Sequence, residues 1–294
     1  VKPAAFSYHR ARDVTGAVAL LSELAAAGED PKLLAGGQSL VPMMSFRLAR
    51  PSALVDLGGL RRRGELTGIT PQADGSLRIG ALTTHHEVET STATGRDYRV
   101  LRRAMRWVGH LPIRTRGTVA GSLVHGDATA EWCLLALLCD ARIVAEGPGG
   151  RREIRAEEMF HGFYATEVEP DELVTEVVFT RPAPHAALTE FAQRHGDFAV
   201  VDAAVALDRA PDGTLLGGRV VLGGVAPAPV RVPVAEAELD GGPASFAACA
   251  DAAAAGVDPP GDAHGSSDYR RHLVRTLVTR ACEQAWDGAK ESHP

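Results

Sequence analysis

Two short stretches combine glycine with small polar residues just after apolar ones. The first is Leu33-Leu34-Ala35-Gly36-Gly37-Gln38-Ser39-Leu40, and the second runs from Gly117 to Asp127 as "GTVAGSLVHGD". Glycine takes φ > 0 at no steric cost and lets a ligand come close to the main chain. Successive N–H groups in such a turn form a concavity that binds anions. Gln38 and Ser39 add an amide and a hydroxyl able to donate to phosphate oxygens. The lysine of G-x-x-x-x-G-K is missing from both stretches, and neither is G-x-G-x-x-G. Lying about 80 residues apart, the two suit one elongated ligand with two phosphates and a polyol chain. Asp127 is placed either to accept from sugar-chain hydroxyls or to cap a helix beginning at "ATAEW". His125 is either a loop histidine or a base.

Other chemistries lack their residues. Cys133, Cys139, Cys249 and Cys282 form no C-x-x-C pair and are expected to be small buried hydrophobes. There is no H-E-x-x-H. His85 and His86 precede Glu87, but on a strand, as this stretch is read here, neighbours point to opposite faces, which argues against a metal site. No residue is assigned as catalytic or as a metal ligand. A net charge of −6 offers no basic footprint for nucleic acid. The run "WCLLALLCDARIVA" is interrupted by Asp140 and Arg142, short of the roughly 20 apolar residues a membrane span needs. "VKPAAFSYHR" has no signal-peptide core, so a cytoplasmic location is expected.

The elements that must position these residues follow from periodicity. "DVTGAVALLSELAAAGED" is helical, with Val18, Leu21, Leu24 and Ala25 on one face and Gly28 as the stop. "PKLLAGG" and "ALVDL" are short strands, and "ELTGITPQADGSLRIGALT" is a hairpin turning at Asp74-Gly75. Residues 98–110 have helical spacing through Leu101, Met105 and Val108. The apolar helix "EWCLLALLCD" and the strand "ARIVAE" come next. Beyond the proline-bearing 181–188 lie strands "FAVVDAAVALDR" and "GGRVVLGGVAPAPVRV", an alanine-rich helix over 244–255, and a last helix. On that helix Val274, Leu277, Val278, Ala281 and Ala285 form one stripe. The mixture indicates α+β architecture without regular βαβ alternation.

In order and spacing, "AGGQSLVPMMSFRLARPSALVDL", "IGALTTHHEVE", "IRTRGTVAGSLVHGD", "FHGFYAT" with "DELVTEV", "RHGDFAVV" and "LGGVAPAPVR" resemble the FAD-binding medium subunit of the molybdenum hydroxylases. This is the xanthine dehydrogenase and aerobic carbon monoxide dehydrogenase family, and the similarity spans essentially the whole chain. It implies the FAD-binding fold of the vanillyl-alcohol oxidase type: an FAD-binding domain over 1–180, with subdomains of about 1–58 and 59–180, and a smaller C-terminal α+β domain over 184–290. It implies that residues 33–40 and Thr118-Val119-Ala120-Gly121-Ser122 are two pyrophosphate-binding loops. His125 adjoins the second, and Asp127 matches an acidic residue on the FAD sugar chain. Val108 falls where a side chain can lie against the flavin, and Leu173 and Val174 where backbone contacts to the cofactor are expected.

The implied function is electron relay. An iron–sulfur subunit passes electrons from a molybdopterin subunit to FAD, and from there they reach a small-molecule acceptor: NAD, oxygen or a quinone. Departures from the family pattern are Ala120 and Ser122 in the second loop, Thr115 in place of asparagine, Glu190 in place of lysine, and no proline after Asp127. They motivate two alternatives: a stand-alone FAD-dependent oxidase or monooxygenase acting on a small organic molecule, and a scaffold that has lost FAD.

Overall fold

The structure, a computed structural model, describes residues 2–288. Residue 1 of the first expected domain and residues 289–290 of the second lie outside the described residues.

The chain builds three layers, each with its own core. First comes a parallel sheet in the order Ser7–Arg10, Ala53–Asp56, Pro31–Leu34. Helix Val14–Ala26 connects two of its strands and starts where Asp13 Oδ1 accepts from Gly16 N at 2.7 Å. Its Ala17, Val18 and Leu21 are buried against Val55, Leu57 and Leu60, whereas Ala25, expected on the inner face, is exposed. The two short strands expected here pair in parallel within this small unit. Its strands are only four residues long, too short to show a period.

The second layer is a five-stranded antiparallel sheet in the order Ile69–Pro71, Leu77–Gly80, Leu173–Phe179, Arg142–Gly147, Gly150–Arg155. The expected hairpin forms, with Gly75 at φ 84°. Helix Glu131–Leu138 is apolar all round, and every residue from Trp132 to Leu138 is buried. Such a helix needs cover on all sides. It belongs to the core of the second layer and also packs on strands of the third.

The third layer is an antiparallel sheet in the order Ala186–Ala192, Ala199–Arg209, Leu215–Gly223, Val230–Arg231. Helices Phe246–Ala255 and Ser267–Asp287 cover one face, and all five residues of the expected stripe on the last helix are buried. Arg219, 1% exposed, ties this layer to the second: its guanidinium donates to Leu138 O at 2.6 Å and to Pro182 O at 3.3 Å. None of the helices found among the described residues is long and apolar enough to cross a membrane.

Two local expectations need correction. Only Arg99–Ala104 of residues 98–110 is helical. Beyond it the bonds become i to i+3, Trp107 N to Ala104 O and Val108 N to Met105 O, and Gly109 turns left-handed at φ 46°. His85, His86 and Glu87 open a helix, His85–Thr90, rather than a strand. Thr84 and Glu87 form its capping box, a polar pattern that overrides strand alternation here.

Candidate functional site

A cavity of about 510 Å³ lies where the first two layers meet. Its wall includes Leu33 through Leu40 without a gap. Strand Pro31–Leu34 ends at this turn, and helix Leu40–Ser45 carries the chain away. Gly37 sits at φ 70°, which a glycine adopts freely. The backbone N–H groups of Gly36, Gly37, Gln38 and Ser39 have no hydrogen-bond partner among the described residues. Four successive free donors on a cavity wall constitute an anion-binding concavity. The Gln38 side-chain amide turns back to donate to Gly36 O at 2.9 Å, so one of its two hydrogens is already committed.

The second glycine stretch is mostly helix, Val119–His125, which the sequence reading left as a glycine-bearing segment. Thr118 caps it by accepting from Gly121 N, and Gly126 ends it in the left-handed region at φ 66°. The N–H groups here are already engaged: Val119 N donates to Thr83 O, Ala120 N to Ala81 O and Ser122 N to Thr118 O. The two stretches are therefore not equivalent cradles. The second supplies shape and hydroxyls, and the first supplies free N–H donors.

The two are also interlocked. A Cβ on Gly36 would lie 2.1 Å from Arg116 O and 2.9 Å from Gly117 Cα. No side chain fits at Gly36, and one at Gly117 would meet the His85 ring and Ile113 O. Thr118, Ala120, Gly121, Ser122 and His125 line the cavity with residues 33–40, as do Val108, Leu173 and Val174. Val119 does not: its side chain is fully buried in the core of the second layer. Ala120 is 6% exposed and belongs to the same core, so its methyl group is housed beneath the cavity floor rather than obstructing it.

Asp127 is next to this wall rather than on it. Its carboxylate accepts from Thr129 N at 2.9 Å, Thr129 Oγ1 at 2.8 Å and Tyr164 OH at 3.2 Å. It faces an adjoining cavity of about 560 Å³, bounded by Tyr164, Arg194, Phe198 and Arg270. Two acids stand on the wall of the first cavity, Asp197 and Glu131, and sequence reasoning treated Glu131 only as a helix start. Burial pushes the Glu131 carboxyl up to about 7, and Asp127 adds to the shift. An acid four residues beyond Asp127, at the mouth of an all-apolar helix, was the available signal.

Glu190, the expected charge reversal, is not on the cavity wall. It pairs in register with Asp202 on the neighbouring strand. Burial and Glu131 raise it to about 8, against the opposing effect of Arg106. Asp202 is fully buried with both oxygens unpartnered, in the space Gly223 leaves by having no Cβ. Burial first, then Glu190, Glu131 and Asp127, drive its carboxyl far above the usual range. At neutral pH this group is held largely protonated, so Glu190 brings less negative charge than its residue type suggests. Thr115 is exposed and outside the cavity.

The wall thus joins a row of free N–H donors, the hydroxyls of Ser39, Thr118, Ser122, Thr129 and Tyr164, the carboxyls of Glu131 and Asp197, and an apolar floor of Val108, Ile113 and Leu173. That suits a ligand with an anionic middle, a hydroxylated chain and a flat apolar end. Comparison with known proteins agrees. Residues 4–182 match the family described as the FAD binding domain in molybdopterin dehydrogenase, and residues 186–285 match the CO dehydrogenase flavoprotein C-terminal domain. The chain belongs to this family of FAD-binding flavoproteins.

It is 38% identical to the 6-hydroxypseudooxynicotine dehydrogenase complex subunit alpha of Paenarthrobacter nicotinovorans, covering 99% of this chain and 97% of the relative. Among solved structures it resembles carbon monoxide dehydrogenase of Hydrogenophaga pseudoflava, with TM-score 0.90 and 34% identity over 99% of this chain and 100% of that one. It also resembles quinoline 2-oxidoreductase of Pseudomonas putida 86, with TM-score 0.91 and 33% identity over 98% and 99%. The chain is accordingly an FAD-dependent oxidoreductase subunit of the molybdenum hydroxylase type.

Proposed function

We propose that the chain relays electrons between an iron–sulfur/molybdenum hydroxylase partner and a small-molecule acceptor such as NAD or oxygen, through FAD held in the cavity between the two glycine stretches. The observation that carries this reading is the row of four unpaired N–H groups from Gly36 to Ser39 on the cavity wall. It offers a diphosphate fixed dipoles without needing a cation. Thr118 and Ser122 would add hydroxyls, and Glu131 would meet the hydroxyls of the sugar chain. Val108 and Ile113 would wall the apolar end, with Leu173 and Val174 bounding the cavity beside them. Bound FAD supplies the redox chemistry, accepting and releasing electrons singly or in pairs. The chain's own task is to hold, orient and shield it. We place the FAD-binding unit over residues 1–180 and the C-terminal unit over 184–290.

The partners follow from the relatives, which are named as subunits or medium chains of dehydrogenases. Purification of the tagged chain from its native host, with metal and flavin analysis, tests this. One FAD per chain together with iron and molybdenum is expected. FAD without either metal, in a preparation that oxidises a small organic molecule, would favour a stand-alone enzyme instead.

A further inference from the structure

His85 is a cavity residue to which neither the fold nor the cofactor assignment above gives a purpose. The residue is 5% exposed and borders the cavity. Nδ1 lies 2.9 Å from Nε1 of the fully buried Trp132. An indole N–H only donates, so Nδ1 must be the acceptor, and the neutral ring carries its hydrogen on Nε2. The rings stack at 6.2 Å, and Trp132 packs in turn on Phe179 at 6.0 Å. The main chain fixes the other side, where His85 N donates to Gly117 O at 3.1 Å.

The Nε2–H has no hydrogen-bond partner among the described residues. It faces the second glycine turn, where a Cβ on Gly117 would lie 2.6 Å from Nε2. Gly36 is pressed against Arg116 and Gly117, so this donor stands beneath the junction of the two turns. Charging the ring would set a second hydrogen against the Trp132 donor. Burial, with Arg114 nearby, also disfavours the cation and holds the ring's pKa down to about 4. Arg114 is itself occupied by Glu89 and by the carbonyls of Val108 and Gly109.

We propose that His85 is a further cofactor-positioning residue, its Nε2–H donating to a diphosphate oxygen of FAD where the two glycine turns meet, with Trp132 fixing the tautomer that makes this possible. The inference rests on the FAD reading of the cavity. It adds one neutral side-chain donor to the main-chain donors of Gly36–Ser39, so that the anion is held by dipoles throughout.

The test uses the full chain freed of flavin. FAD affinity is measured by fluorescence titration for the wild type, His85→Phe and His85→Gln, and the phosphorus resonances of the bound diphosphate are recorded for each. Loss of a buried donor to an anion should weaken FAD binding roughly tenfold or more in His85→Phe. Partial recovery is expected in His85→Gln, which keeps an N–H, and the diphosphate resonances should move in His85→Phe. Nitrogen-15 histidine spectra of the wild type give a second answer that does not depend on a variant folding. The Nε2–H tautomer should be present without FAD, and its signal should shift when FAD is added. Unchanged affinity in His85→Phe, an Nδ1–H or charged ring, or a histidine spectrum indifferent to FAD would overturn the proposal. A wild-type chain that takes up no FAD would instead overturn the reading of the cavity on which it rests.

Discussion

At the scale of single residues, the tightest constraint on the site is the contact of Gly36 with Arg116 O and Gly117. A methyl group there would have to displace main chain, not a flexible side chain, at a cost of about 2 kcal/mol. Gly36→Ala is therefore expected to fold with lowered stability and to bind FAD at least tenfold more weakly. Isothermal titration of the flavin-free variant checks this, and wild-type affinity would show that the two turns need not touch. Ala120 carries the opposite lesson. It departs from the family pattern in the second loop, yet its methyl group packs in the core.

At the scale of elements, the helix Val119–His125 decides how the second stretch contributes. It is seven residues long and depends on its ends: Thr118 at the start and a left-handed Gly126 at the finish. Removing the cap in Thr118→Ala should cost about 1 kcal/mol and also remove a hydroxyl from the cavity wall. Thermal unfolding with and without FAD measures both effects, and an unchanged melting temperature would mean that the cap carries no weight. This helix also shows where sequence reading stops. Long periodic elements were legible, notably the stripe on Ser267–Asp287 and the apolar run Glu131–Leu138. The glycine stretch 33–40 was legible as a turn, and the structure places that turn on the cavity wall. Val119–His125 was not, since seven residues with two glycines at or near its ends show no helical period. Glu131 was hidden because an acid at a helix start has an ordinary capping use. Asp127 was legible as a polar anchor, a sugar-chain acid or a cap, and its carboxylate accepts from Thr129 and Tyr164 beside the adjoining cavity.

At the scale of the whole molecule, the junction of the second and third layers buries Glu131, Glu190 and Asp202 together. All three are raised above their ordinary values, to about 7 for Glu131 and about 8 for Glu190. Burial comes first for each, with mutual repulsion and Asp127 adding to it and Arg106 opposing it at Glu190. Groups with folded pKa values above their unfolded ones bind more protons in the native state through the intervening window. The contribution of these three groups to stability therefore falls as pH rises from roughly 4 to 8. Asp202→Asn removes the most deeply buried of these carboxyls and is expected to flatten that fall, raising stability at pH 8 relative to pH 5. Denaturant unfolding of both proteins at pH 5 and pH 8 tests the sign. A steeper fall in the variant would mean that Asp202 is ionised in the native state.

The central claim is that the cavity beside residues 33–40 holds FAD. The most direct measurement is the visible spectrum of the purified chain and of Gly37→Val, with the released cofactor identified by mass. Gly37 sits at φ 70°, and a side chain there would meet Leu34 and Val41 at 3.2 Å. A two-band flavin spectrum with FAD released from the wild type, and a colourless but folded variant, is the predicted result. A Gly37→Val protein that keeps FAD at the wild-type level would contradict the account, leaving residues 33–40 as a turn and placing the cofactor elsewhere.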